Sequence, residues 1–202
     1  MTIRLLGGLL VLAAGVLGGS GCLVLSLHPV YDDKSLVYDE GLVGLWRNEE
    51  DRALVTIRPA EWRSYTITYQ DATDEEALTG YLTTIGGERF IDVASQRGRD
   101  RGPFLVPAHG LFRLRQSGDT ITVEALNYDW FSKILASRRP GLPPAAFDER
   151  ENVVVTVPTP RLRAWVLQHL KSPQAFGPPA TFHRQREAAG GRTPAALPRR
   201  LR

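Results

Sequence analysis

Between about residue 42 and residue 125 the chain repeatedly alternates apolar and polar positions with a period of two, the pattern of β-strands that bury one face. In Ser64-Tyr-Thr-Ile-Thr-Tyr69, Tyr65, Ile67 and Tyr69 share one side and Thr66 and Thr68 the other. In Asp119-Thr-Ile-Thr-Val-Glu-Ala125, Ile121, Val123 and Ala125 oppose Thr120, Thr122 and Glu124. One apolar and one polar face is the mark of antiparallel rather than parallel strands. Gly86-Gly87, and Gly118 within Ser117-Gly-Asp119, supply the positive φ of tight hairpins between further alternating runs. Adding residues 42–47, 53–58 and 152–157 brings the total to about eight strands, mostly in up-and-down order, a number that suits a small closed barrel without free edges.

Two helical patterns interrupt the strands. The first is expected to start at Asp129 as N-cap and to run to Ala136, with Trp130, Phe131, Ile134 and Leu135 on one side. The second has Thr159 as expected N-cap and Pro160 at the first helical position, and places Leu162, Trp165, Val166 and Leu170 on one face, before Ser172-Pro173 ends it. That face is expected to pack on the barrel wall, and the intervening Arg139-Pro-Gly-Leu-Pro-Pro-Ala145 to form a loop over the barrel mouth. The fold class is therefore mainly β: an antiparallel up-and-down barrel with two packed helices in the C-terminal third.

The ends of the chain read differently. Residues 1–21 hold Arg4, an apolar stretch from Leu5 to about Leu17, and small residues up to Gly21; Cys22, the chain's single cysteine, follows. This leader resembles that of a bacterial lipoprotein precursor, with Ser20 and Gly21 matching the positions before the cysteine and Gly19 standing where that pattern prefers leucine. The resemblance implies removal of a signal peptide at residues 1–21 and lipidation of Cys22, including palmitate, which holds the protein on a membrane through two or three acyl chains worth ~0.8 kcal/mol per buried methylene. It also implies the periplasmic face of the outer membrane in a Gram-negative cell, because Leu23 is not the aspartate that favours inner-membrane retention. Two other readings of the residues stand beside it. Cys22 can be an ordinary buried thiol, or the apolar run, prolonged by Leu23-Val-Leu-Ser-Leu27, can be an uncleaved spanning helix of about 20 residues.

Residues 22–40 lack a sustained period and are expected to form a lipidated tether, residues 41–182 a single β-barrel-like domain with two helices, and residues 183–202 a disordered basic tail. With one cysteine, the chain has no intramolecular disulfide. The net charge of +3 is unevenly spread, because the tail alone carries six arginines against Glu187, and the domain before it is mildly acidic. Attraction to anionic lipid phosphates, at about 1 kcal/mol per basic residue near the surface, is one role for such a tail; a merely solvated segment is the plainer one. An exported chain with an acidic body is not expected to bind nucleic acid.

The first strand carries a second resemblance. Leu42-Val-Gly44-Leu-Trp46 is similar to the Gly-x-Trp signature that opens lipocalins. It implies a barrel whose tryptophan, here Trp46, plugs the closed end, with Gly44 allowing close strand approach and the open end forming a cup for small apolar molecules. The segment from Cys22 through His28-Pro29 to Trp46 also resembles the start of a group of bacterial lipoproteins, which adds no mechanism.

Catalytic patterns are sparse. The sequence holds no Gly-x-Ser-x-Gly elbow, phosphate loop, dinucleotide fingerprint or zinc-ligand spacing, and His28, His109, His169 and His183 are scattered. No catalytic residue, metal or cofactor is expected. His109, in Pro107-Ala-His109-Gly110, sits in a sharp loop, either pointing into a cavity or simply bonded to backbone. Asp92 alternates with Phe90; on an inward face it needs a partner, with Arg113 and Arg115 as candidates. Tyr65, Tyr69, Tyr81 and Trp62 are candidates to line a cup or to be plain core. The residues expected to line a ligand site or the barrel floor are thus Trp46, Tyr65, Tyr69, Asp92 and His109. The sequence points to a membrane-anchored binding protein for a small apolar or lipidic ligand; the rivals are a packed scaffold that docks an envelope protein and, third, a hydrolase of unrecognised type. Metabolic palmitate labelling is expected to mark the wild-type chain and to vanish in Cys22→Ser; equal labelling of both removes the lipoprotein reading.

Overall fold

A computed structural model describes residues 23–72, 75–96, 108–137, 145–148 and 151–185. The described chain opens with two short strands, β1 (Val24–Ser26) and β2 (Leu36–Val37), and a 3-10 turn at Glu40–Leu42. Seven strands follow: β3 (Gly44–Asn48), β4 (Leu54–Pro59), β5 (Ser64–Gln70), β6 (Glu75–Ile85), β7 (Glu88–Ser95), β8 (His109–Ser117) and β9 (Thr120–Ala125). Each pairs antiparallel with the next. After α1 (Tyr128–Ala136), β10 (Ala145–Phe147), β11 (Val153–Val155) and α2 (Thr159–His169), the strand β12 (Ala180–Gln185) inserts between β9 and β3 and closes an eight-stranded antiparallel barrel.

Alternation makes the wall two-faced. Ile57, Tyr65, Ile67, Leu78, Leu82, Ile91, Val93, Phe112, Leu114, Ile121 and Phe182 belong to a core inside the barrel. Phe90 and Leu111, one residue out of phase, join a second core outside it, made with Val24, Val153, Val155, Phe131, Leu162, Trp165 and Val166. The apolar face of α2 is buried there, as its spacing requires. The hairpin glycines have the expected positive φ: 58° at Gly86, 85° at Gly87 and 56° at Gly118.

One end of the barrel is a floor. Leu42 and Trp46 are fully buried in it, and the Trp46 indole N–H donates to the Leu42 carbonyl at 2.9 Å. Arg184, on β12, lays its guanidinium 4.1 Å from the centre of the Trp46 ring, donates to the Val43 carbonyl at 2.7 Å and also reaches the Gly41 carbonyl. A cation over an indole with two carbonyl acceptors beneath fixes the last strand to the turn that enters the first. Gly44 makes room for it: a Cβ there would lie 2.5 Å from Arg184 Nη1, and its φ of +145° is one that only glycine adopts freely.

Several local expectations change. The eighth barrel strand is 180–185, not 152–157; β11 lies outside the barrel, parallel to β1 and antiparallel to β10. Both runs alternate, and only the pairing partners distinguish them. His183, Arg184 and Gln185, assigned from sequence to a disordered tail, are strand residues; residues 186–202, and the loop over the mouth apart from Ala145, lie outside the described residues. The expected tether is packed: Leu23, Val24, Leu25 and Val30 are buried, and β1 pairs with β8 at Leu25↔Gly110 and Ser26↔His109. A spanning helix through Leu27 is incompatible with that strand, and no helix among the described residues is long and apolar enough to cross a membrane. Helix α1 is capped by Asn127, whose side chain accepts from Trp130 N, rather than by Asp129. Pro158 occupies the N-cap position of α2, and the Thr159 hydroxyl donates to the Pro29 carbonyl at 2.6 Å, pinning the N-terminal segment.

Gly44→Ala is expected to lower stability by about 1–3 kcal/mol through backbone strain and the clash, and Arg184→Ala by a similar amount. In the double variant the clash is gone, so its cost falls below the sum of the two singles. Thermal unfolding midpoints, moving ~2–4 °C per kcal/mol at this chain length, measure the cycle.

Candidate functional site

Above the floor the barrel interior is not filled. An apolar cavity of about 70 Å³ is lined chiefly by Val55, Ile57, Ile67, Tyr69, Phe112 and Val123, with Asn48 and Asp51 at the end away from Trp46. These side chains converge because every second residue of a barrel strand points inward. Close to the floor, larger groups fill the bore: Tyr65 is fully buried, and its hydroxyl accepts from Asp39 N at 2.7 Å and donates to the Asp39 carbonyl at 3.1 Å. Burial holds its pKa above the usual phenol range. Tyr69 lies on the same strand face, four residues nearer the other end, and lines the cavity. Burial first, then the carboxylates of Asp51 and Asp71, push its pKa up to about 12, so it presents a neutral phenol to the cavity at any physiological pH.

The sequence-selected aromatics therefore divide. Trp46 and Tyr65 belong to the floor region and Tyr69 to the cavity wall. Tyr81 faces out, stacked on Tyr31 with ring centres 4.3 Å apart. Trp62 is 86% exposed in the β4–β5 turn, where it and Arg63 both have positive φ, and is not part of the barrel cavity's lining. Cys22 lies outside the described residues.

Asp92 and His109 come together, but not inside the barrel. Ile91 and Val93 take the inward positions of β7, so Asp92 faces the outer core, where it is 1% exposed. Its partner is neither Arg113 nor Arg115. One carboxylate oxygen lies 2.6 Å from His109 Nδ1, and the other accepts from Val30 N at 2.7 Å. Arg113 instead pairs with Glu124, donates to the Leu170 carbonyl at 3.3 Å and stacks over Phe176, while Arg115 bonds Glu124 at 3.1 Å. The carboxylate as acceptor places the hydrogen on His109 Nδ1 and leaves Nε2 facing away. Such a pair can orient a base, yet among the described residues no hydroxyl or thiol is hydrogen-bonded to His109. Ser26, opposite it in the ladder, exchanges its hydroxyl bonds with His28, donating to the carbonyl at 2.7 Å and accepting from the amide at 3.1 Å. The pair works as a clamp on the N-terminal segment. Nearby, burial, with Tyr81 and Asp92 adding, raises the Tyr31 pKa well above the phenol range.

Sequence reasoning missed Arg184. Its signal was the Ala180, Phe182, Arg184 alternation, hidden by the run of arginines after it. Among the described residues no group of three or more His, Cys, Asp or Glu side chains is placed to hold a metal. No family model, curated protein or solved structure matches the chain, so the geometry of the barrel has to carry the functional reading.

Asp92→Ala is expected to strand the Val30 amide and the His109 ring, at a cost of about 2–4 kcal/mol. Hydrogen exchange should show the Val30 amide losing protection before the barrel strands do. Uniform loss across the barrel instead would assign the pair to global stability alone.

Proposed function

We propose that the chain is a lipid-anchored envelope protein that binds rather than catalyses, taking a small apolar group into its barrel. The supporting observation is the cavity: an apolar recess at one end of a barrel whose other end is plugged by Trp46 and clamped by Arg184. The resemblance of Gly44-Leu-Trp46 to lipocalins, read together with the closed barrel, favours the same use. Its size narrows the ligand. At about 70 Å³ it is less than half of the ~150 Å³ apolar cavity that accepts benzene and well below the ~300–1,000 Å³ of drug-sized sites. The occupant is the end of an acyl chain or a molecule of a few heavy atoms, not a whole lipid. Anchoring through Cys22 on the periplasmic face of an outer membrane keeps the barrel beside a source of such chains.

A second reading, a scaffold that docks an envelope protein, is favoured by the same small volume and by Trp62, which projects from the floor end as an unsatisfied aromatic.

Native mass spectrometry of the full-length Cys22→Ser chain is expected to show a co-purifying apolar adduct. Val93→Phe and Val123→Phe, which fill the cavity from two different wall strands, β7 and β9, are expected to lose that adduct while the circular dichroism of the barrel persists. Repeated absence of added mass in the parent chain would favour the scaffold.

A further inference from the structure

Outside the barrel, at the end opposite the floor, β3, β12 and the β3–β4 turn enclose a surface concavity of about 260 Å³ formed by Arg47, Glu49, Arg52, His183 and Gln185. Its floor is built by register. Arg47 and His183 are direct partners across the β3–β12 ladder, and both alternate outward because Trp46 and Phe182 point in. The turn completes it. Asn48 Oδ1 accepts from Glu50 N at 2.8 Å and Asp51 Oδ1 from Ala53 N at 2.9 Å, and this double side-chain closure carries Arg52 at φ 62° over the same face.

The charges in this concavity are unbalanced. Arg47 and Arg52 have no hydrogen bond or ion pair among the described residues, unlike Arg113, Arg115, Arg163 and Arg184, each of which is engaged. His183 is oriented by Thr120, whose hydroxyl lies 3.2 Å from Nδ1. The one acid, Glu49, stands 3.6 Å from His183 Nε2 and is largely exposed. Asp51 is held by the turn and turned towards the cavity. Two forked guanidiniums and an imidazole around one concavity suit an anion with at least three oxygens, since each guanidinium can engage two of them. A planar carboxylate meets one guanidinium fork edge-on, whereas a tetrahedral oxyanion presents oxygens to two forks and an imidazole from different sides.

We propose that Arg47, Arg52 and His183 form a binding site for a phosphate group, either of a lipid headgroup or of a soluble phosphate compound. The site is independent of the apolar cavity, and its failure would leave that reading untouched.

The test uses the full chain, so that residues 186–202 contribute equally to every sample. Inorganic phosphate is titrated while the His183 imidazole resonances are followed by NMR, with affinity expected on the order of millimolar for so open a site. Arg47→Gln and Arg52→Gly are each expected to weaken binding about tenfold, an effect worth ~1.4 kcal/mol. Arg52→Gly relaxes the left-handed turn position, so a loss there does not come from misfolding. Glu49→Gln is expected to tighten binding about threefold, on the order of 0.6 kcal/mol; a purely structural role predicts no such opposite sign. The same variants are then floated with phosphatidylcholine vesicles containing phosphatidylglycerol. Parallel loss of vesicle binding assigns the site to headgroups, and unchanged vesicle binding with lost phosphate binding assigns it to soluble phosphate compounds. Unmoved His183 resonances, or equal phosphate affinity in the parent and the Arg47→Gln/Arg52→Gly variant, would overturn the proposal.

Discussion

Everything in this molecule depends on one strand arriving late. Seven antiparallel strands in sequence order leave two exposed edges, β3 and β9, each a row of unpaired amides and carbonyls. β12, drawn from the far end of the described chain, satisfies both at once, with Phe182 opposite Asn48 on one side and Ile121 on the other. Arg184 then couples that closure to the floor, because the guanidinium that stacks on Trp46 also binds the carbonyls of the turn leading into β3. Remove that strand and both the inner core and the cavity lose a wall.

Closure also explains why the protein has two cores. A closed barrel buries one face of every strand, but its outer face remains free to be covered, and here the N-terminal segment, β11 and both helices cover one sector of it. In that sector the wall is buried on both sides. Polar groups caught there must find partners: Asp92 takes Val30 N and His109, while Arg163 of α2 reaches the carbonyls of Val30 and Thr84 and the hydroxyls of Ser35 and Thr83. These bonds hold the segment after Cys22 against the barrel, so a lipid anchor at Cys22 would carry a domain docked close behind it rather than one on a long leash. On β3 and β12 the described residues leave the outer wall uncovered, and there Arg47, Arg52 and His183 border the surface concavity.

Much of the fold was legible because its signals are local. Gly86-Gly87 and Gly118 marked two of the hairpins, period-two runs marked β5 and β9, and Pro160 marked the start of α2 to within a residue or two. The inward side of β5 was readable, which placed Tyr65 and Tyr69 on the face that carries the cavity. The face of Asp92 was not: both neighbours of that residue, Ile91 and Val93, and the alternate positions Phe90 and Ala94 are apolar, so β7 has no polar face to declare which side meets solvent. The cap of α1 shifted for a related reason, since Asn127 and Asp129 are both good caps and only the bend out of Leu126, paired with Phe176, chose between them.

By itself the sequence determined the mainly β class, the up-and-down order and the two helices, because hydrophobic period, turn glycines and proline geometry act over a few residues. The tertiary structure decided which of two short alternating runs closed the barrel, that the segment after Cys22 packs instead of hanging free, and which carboxylate meets which base. It also decided the size of the cavity and the meeting of Arg47, Arg52 and His183. Those outcomes depend on strand pairing and on what covers the outer wall, and the residues involved lie as many as 143 positions apart in the chain, a separation across which local pattern carries no information.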